Sequence, residues 1–378
     1  MNIGDLNISA LYMGDIPASA YMGDQIVWPS SGSPTPPPHD YSLDYLTYEA
    51  LSSGDLYWLD NDCYYSVNDG PWVQMTYSQD PETLVTGDVV RFKKVGLCAS
   101  LPTFVGDFKV YGNVESMEYG DNFVGQTQFY SASTAGLFKL SPQMQGSRLI
   151  DASNLILPVT TLTASCYRSM FAGCTSLTTA PELPATTLAM SCYMDMFAGC
   201  TSLVTAPELP ATTLVSDCYR SMFSGCTALT HAPELLATTL AGYCYQNMFD
   251  GCTSLTTAPS ILPATTLAGA CYKSMFQNCT SLTTSPVICG ANFFDNSPGN
   301  CYMDMFNGCT NLSAVTCLTI PPSGSIWDWA PVYTTNFLQG VAATGVFYKS
   351  PNATWPPDAW PGAGYTVPDG WTVLDYTP

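Results

Sequence analysis

Charge is scarce in this chain. Asp, Glu, Lys and Arg make up 11% of its 378 residues, and ten basic side chains face thirty acidic ones, for a net charge of −20. A protein that neutralises phosphates needs a basic face. Here Lys and Arg are scattered and form no run, so partners of nucleic acid or anionic lipid are disfavoured. Histidine is nearly lacking, with only His39 and His231, which leaves little from which to build a Ser-His-Asp or Cys-His pair. There is no G-x-x-x-x-G-K-[ST], no H-E-x-x-H, no D-x-D-x-D-G loop and no C-x₂-C pair. No apolar run reaches the roughly 18 residues of a membrane span. The start, MNIGDLNISALYMGDIPAS, has neither a positive region nor a continuous apolar stretch, so a secretory signal is not expected. On that reading the protein stays in the cell that makes it, or leaves by lysis or an unusual route. No enzymatic activity, cofactor or metal is expected.

What is present is a chain with 46% hydrophobic residues, enough to bury a core. Its length calls for two or more domains. Thr, Ser, Gly, Pro and Tyr supply the polar surface, which suits β-structure and repeats better than helical bundles.

Residues 1–28 contain an echo. Tyr12-Met13-Gly14-Asp15 recurs as Tyr21-Met22-Gly23-Asp24, followed by Gln25-Ile26-Val27-Trp28. Each copy ends in a Gly-Asp turn signal, so a small β-meander is predicted. So small a unit needs a partner surface or a second copy of itself. It reads either as a hairpin packed on the next domain or as an anchoring and oligomerisation module. A semi-rigid Pro/Ser linker, 29–40, follows. Residues 41–135 read as an all-β domain, a small sandwich or barrel with turn signals about every ten residues. Its many aromatics are core side chains or a carbohydrate platform.

The centre, 136–320, is a repeat. Cys166-Tyr167-Arg168-Ser169-Met170-Phe171-Ala172-Gly173-Cys174 returns from Cys192, Cys218, Cys244, Cys271 and Cys301, at a period near 26. Thr175-Ser176-Leu177-Thr178-Thr179-Ala180-Pro181-Glu182-Leu183 links the copies. Such a period marks a solenoid. Cys166, Met170, Cys174 and Leu177 fall on one face of an α-helix ended by Gly173. Leu177 to Leu183 reads as a strand cut short by Pro181. The fold class is therefore an α/β repeat, a leucine-rich-repeat-like solenoid with a short strand and a short helix in each coil, preceded by the all-β domain and the meander. The predicted inward set comprises Cys166, Met170, Cys174, Leu177, Cys192, Cys200, Cys218, Cys226, Cys244, Cys252, Cys271, Cys279, Cys301 and Cys309. Helical rise puts Cys166 and Cys174 about 12 Å apart, and packed helices would hold equivalent cysteines roughly 8–10 Å apart. Both exceed the reach of a disulfide. The preferred reading is two columns of buried thiols acting as small hydrophobes, over disulfides in some coils or a metal. Glu182, Glu208 and Glu234 form a surface row, one per coil, unlike a hydrolytic pair. His231 stands where other copies carry Thr.

Residues 136–162 carry a degenerate copy. The tail, 321–378, is rich in Trp and Pro and reads as a C-terminal cap, or as an aromatic patch in which Trp355, Trp360 and Trp371 contact a receptor.

Met-Phe-x-Gly-Cys-Thr-Ser-Leu-Thr resembles the BspA-type leucine-rich repeats of bacterial surface proteins, and Gly345-Val346-Phe347-Tyr348-Lys349 with Pro368-Asp369-Gly370-Trp371 resembles the ending that often follows them. The opening echo through Trp28 is similar to short modules at the start of phage structural proteins, especially in phages of gut Bacteroidetes. These resemblances imply contact with protein or glycan and no chemistry. Together they lead to a structural virion protein, a fibre or appendage subunit of a bacteriophage capsid or tail. Residues Tyr12, Met13, Gly14, Asp15, Tyr21, Met22, Gly23, Asp24 and Trp28 would anchor it to other virion proteins, and the repeats would face the host. Reduced cysteines fit a protein made in the cytoplasm and released by lysis. A homotrimer is expected by analogy alone. The alternative is a BspA-like adhesin on the bacterial cell surface.

Overall fold

The computed structural model describes residues 39–57, 63–75, 81–94, 103–126, 148–289, 299–319, 334–351 and 367–377, with the backbone of four two-residue strands near the start. Two units, Met1–Tyr41 and Ser42–Pro378, form separate sets of contacts. In the first, β1 (Tyr12–Met13) pairs with β2 (Ile16–Pro17), and β3 (Tyr21–Met22) with β4 (Gln25–Ile26), both antiparallel. The strands of the echo thus pair in the same register, Tyr12 with Pro17 and Tyr21 with Ile26.

The second unit opens with β5 (Leu46–Ala50), β6 (Gly54–Tyr57), β7 (Cys63–Val67), β8 (Val73–Gln74), β9 (Glu82–Leu84), β10 (Val89–Lys94), β11 (Thr103–Val105) and β12 (Asp107–Asn113). A short helix follows, α1 (Ser116–Tyr119), and then β13 (Arg148–Ile156). A six-stranded sheet runs β13-β12-β5-β10-β7-β8, beside a three-stranded sheet β11-β6-β9. In β10 every second residue is buried, the period of a strand with one face on a core. Tyr48, Phe92, Phe104 and Phe108 meet there, with ring centroids 4.7–5.9 Å apart. Asn68 and Asp69 both take positive φ between β7 and β8, which Asn and Asp tolerate in tight hairpin turns.

β13 belongs to both parts of this unit. It pairs in parallel with β12, and its Asp151 bridges Thr179 of the first coil. The ladder continues Thr179–Thr205–His231–Thr257, one bridge per coil, with a second row through Thr161–Thr187 and Thr213–Thr239–Thr266. Pro181, Pro207, Pro233 and Pro259 follow the first row two residues on, and proline cannot donate to a ladder. Full strands return as the repeat diverges: β14 (Ile261–Leu262), β15 (Thr284–Ile288), β16 (Ala314–Cys317), β17 (Gly345–Lys349) and β18 (Trp371–Asp375), in one parallel sheet. The described part of the tail extends the stack by a further coil, with Asp304, Phe306 and Gly308 donating to Thr335, Phe337 and Gln339.

The helix expected in each coil is not there. Residues 191–200 form a run of turns. Cys192, Met194, Met196, Ala198 and Cys200 donate their N–H groups three residues back, at 3.0–3.3 Å. The alternate residues Ser191, Tyr193, Asp195, Phe197 and Gly199 donate to the next coil, at 2.7–3.1 Å. Ser191, Asp195 and Gly199 have φ of 57°, 57° and 75°. An α-helix needs bonds four residues back and negative φ throughout. The repeat puts Ser, Asp, Asn or Gly at nearly every such fourth position: Asp217, Ser221 and Gly225; Asn247 and Gly251; Ser274 and Asn278; Asn300, Asp304 and Gly308. These residues accept left-handed backbone and are weak in helix interiors.

Backbone bonding between coils draws them closer than packed helices. Stacked Phe rings lie 5.2–5.6 Å apart from Phe171 to Phe306, and stacked Tyr rings 5.8–6.0 Å apart from Tyr167 to Tyr302. Helical spacing therefore does not keep equivalent cysteines of neighbouring coils apart, contrary to the expectation from packed helices. The fifteen described cysteines are nonetheless free thiols, all buried except half-buried Cys289.

Candidate binding face

Each coil divides its side chains sharply. Cys192, Tyr193, Met196, Phe197, Cys200 and Leu203 point inward and are almost wholly buried, as are their equivalents in neighbouring coils. Burying one Leu, Met or Phe side chain stabilises by about 1.5–3 kcal/mol, so every coil adds several such contributions. The whole predicted inward set lies in this core. Burial pushes the thiols up, Cys174 and Cys226 to about 12 and Cys192 to about 11. At neutral pH they carry almost no thiolate, the form that attacks or binds metal.

The outward side is a set of hydroxyl lanes. Thr201 and Thr227 donate to the carbonyls of Thr175 and Thr201, 26 residues back, at 3.2 and 3.3 Å. Thr178, Thr230 and Thr256 do the same toward Ile150, Val204 and Thr230. These hydroxyls spend their proton inside the stack and offer lone pairs outward. Thr205, Thr257, Thr187, Thr213, Thr239 and Thr266 lie on the bridge rows and are exposed. His231 occupies the same row, exposed, with its Nδ1 2.9 Å from Thr230 Oγ1. Glu182, Glu208 and Glu234 form an exposed row, and Glu234 accepts the Ser260 N–H and hydroxyl of the following coil at 2.7–3.0 Å. The arrangement offers repeated hydrogen-bond donors and acceptors at the coil spacing. Among the described residues no three His, Cys, Asp or Glu side chains are grouped to hold a metal ion. No described helix is long and apolar enough to cross a membrane.

Trp371 is not a surface contact. It is 7% exposed, packs into the end of the core, and donates its indole N–H to the Ala342 carbonyl at 2.8 Å. Pro368-Asp369-Gly370 turns it inward, with Trp371 N–H bonded to Pro368 O. Trp355 and Trp360 lie outside the described residues, as do Gly14, Asp15, Gly23, Asp24 and Trp28. Tyr12, Met13, Tyr21 and Met22 sit in the strands of the two hairpins.

Two arrangements escaped the sequence reading. Lys93 lies 4.3 Å from the centroid of Trp72 and bonds Asp121 at 2.7 and 3.0 Å, while Tyr45 donates to the same carboxylate at 2.7 Å. This network satisfies itself and ties β10 to the turn after α1. The other is Glu115, a buried carboxyl with no local pattern to mark it.

No family model matches the chain, and no curated protein does. Among solved structures it is similar to a leucine-rich repeat protein from Bacteroides ovatus, at 15% identity and a TM-score of 0.26, over 72% of this chain and 86% of that one.

Proposed function

We propose that the chain is a display protein with no catalytic chemistry of its own: a structural virion protein, a fibre or appendage subunit of a bacteriophage capsid or tail, whose coils meet a glycan or protein on the host surface. One observation carries this reading. The repeat hides its cysteine columns, its stacked tyrosines and the Met and Phe of each Met-Phe pair, and turns regular rows of hydroxyls outward. A periodic surface of this kind suits repeated weak contacts, in which avidity substitutes for a deep pocket. The tandem hairpins of residues 12–26 support the anchoring role, since units so small need a partner surface.

Mass spectrometry of purified particles tests the proposal. The protein should be present, and deletion of residues 1–28 should remove it. Deletion of 136–378 should leave incorporation intact and abolish attachment. Recovery from the bacterial envelope, with none in particles, would instead favour a cell-surface adhesin that uses the same lanes.

A further inference from the structure

We propose that Glu115 is a pH-sensitive latch between the β-domain and the first coil: its protonated carboxyl lets the junction close, and its ionised form drives the junction open. Glu115 sits just before α1. Its N–H donates to Asn113 Oδ1 at 3.0 Å, and its carbonyl accepts from Glu118 and Tyr119 at 3.0 and 2.9 Å. The backbone is thereby fixed and the side chain directed inward. That side chain is 0% exposed, and neither carboxyl oxygen has a hydrogen-bond partner.

The position is a joint. Val114 N–H donates to Ile156 O at 3.2 Å, next to the parallel pairing of β12 with β13. Tyr167, the first of the stacked column, lies within electrostatic reach of both Glu115 and Glu118. Among the described residues none hydrogen-bonds the Glu115 carboxyl. Glu118 on its own turn repels it, and a phenol can add only negative charge. On β10, which packs against α1, Lys93 is held by Asp121, and buried Lys94 makes no bond to Glu115.

An ionised carboxylate there would be buried and unpaired, among the least favourable states a side chain can adopt. Burial first, and the Glu118 charge second, push its pKa from 4.5 up to about 8. The sign follows by linkage. A raised folded-state pKa gives a contribution that is whole below the ordinary value and lost as pH rises through the folded one. The junction should therefore be tightest in acid and loosen between about pH 5 and about pH 8.

Two measurements on the full chain decide. Infrared spectroscopy of the unaltered protein near neutrality should show a protonated carboxyl that disappears above about pH 8. Finding every carboxyl ionised at neutrality would overturn the proposal, and this measurement does not depend on how any variant folds. Glu115→Gln should remove the pH dependence: across the same interval its hydrogen exchange at 113–119 and 156–167 should stay constant, while the unaltered protein accelerates several-fold beyond the intrinsic rate. Glu118→Gln should move the transition to higher acidity. Parallel profiles for Glu115→Gln and the unaltered protein would contradict the latch.

Discussion

The Cys226 thiol donates a hydrogen bond to the carbonyl of Phe197, one coil back, at 3.1 Å. Cys200, Cys252, Cys279 and Cys309 do the same toward Phe171, Phe223, Phe249 and Phe276, at 2.9–3.1 Å. That carbonyl also closes its own turn, by accepting the N–H of the cysteine three residues on. Cysteine suits the position because it is small, apolar and still a weak donor.

Replacing Cys226 with Ala should therefore cost about 1–3 kcal/mol, the range for losing a buried contact together with its hydrogen bond. Chemical denaturation measures it. In the same experiment the native thiols of both columns should resist alkylation until the chain unfolds, and half-buried Cys289 should react first among the described cysteines. Rapid modification of Cys226 in the folded state would contradict the burial.

The tyrosine column makes an alkaline prediction. Burial raises Tyr167, Tyr193, Tyr219, Tyr245, Tyr272 and Tyr302 well above the ordinary value of 10.0. A raised pKa gives stability that is complete below the ordinary value and lost as pH climbs past it. Tyrosinate absorbance should rise in two phases, exposed rings first and the column only in step with cooperative unfolding. A single smooth titration with the fold intact would count against the column.

Trp371→Ala should destabilise the end of the stack by about 3–5 kcal/mol, as for a large buried aromatic. Trp371→Phe should cost less, since it loses chiefly the indole bond to Ala342. Thermal unfolding distinguishes this from a surface role, in which stability would hold and attachment alone would fall.

The repeat, its period and its inward residues were all legible in the sequence, and the helix was a misreading with a physical cause. Cys192, Met196 and Cys200 recur every four residues. A helix repeats near that interval, and so does a run of turns with a left-handed residue at every fourth position, so hydrophobic periodicity cannot separate them. The distinguishing signal was the out-of-phase set, Ser191, Asp195 and Gly199, whose types favour positive φ. The extra coil was also readable, since Asn336-Phe337-Leu338-Gln339-Gly340 follows the pattern of Asp304-Met305-Phe306-Asn307-Gly308 without its cysteines. Glu115 was not readable. Its burial depends on β12, β13 and the first coil meeting around it, and no local pattern encodes that.

The turn architecture of the coils is tested most directly at Ser221, where φ is 53°. Equilibrium denaturation of Ser221→Gly and Ser221→Ala gives a difference whose sign separates the two backbones. Left-handed backbone costs a residue with a Cβ roughly 1–2 kcal/mol and glycine almost nothing, so the glycine variant should be the more stable. In a helix alanine exceeds glycine by about 1 kcal/mol, and an alanine variant more stable than the glycine one would contradict the ladder of turns.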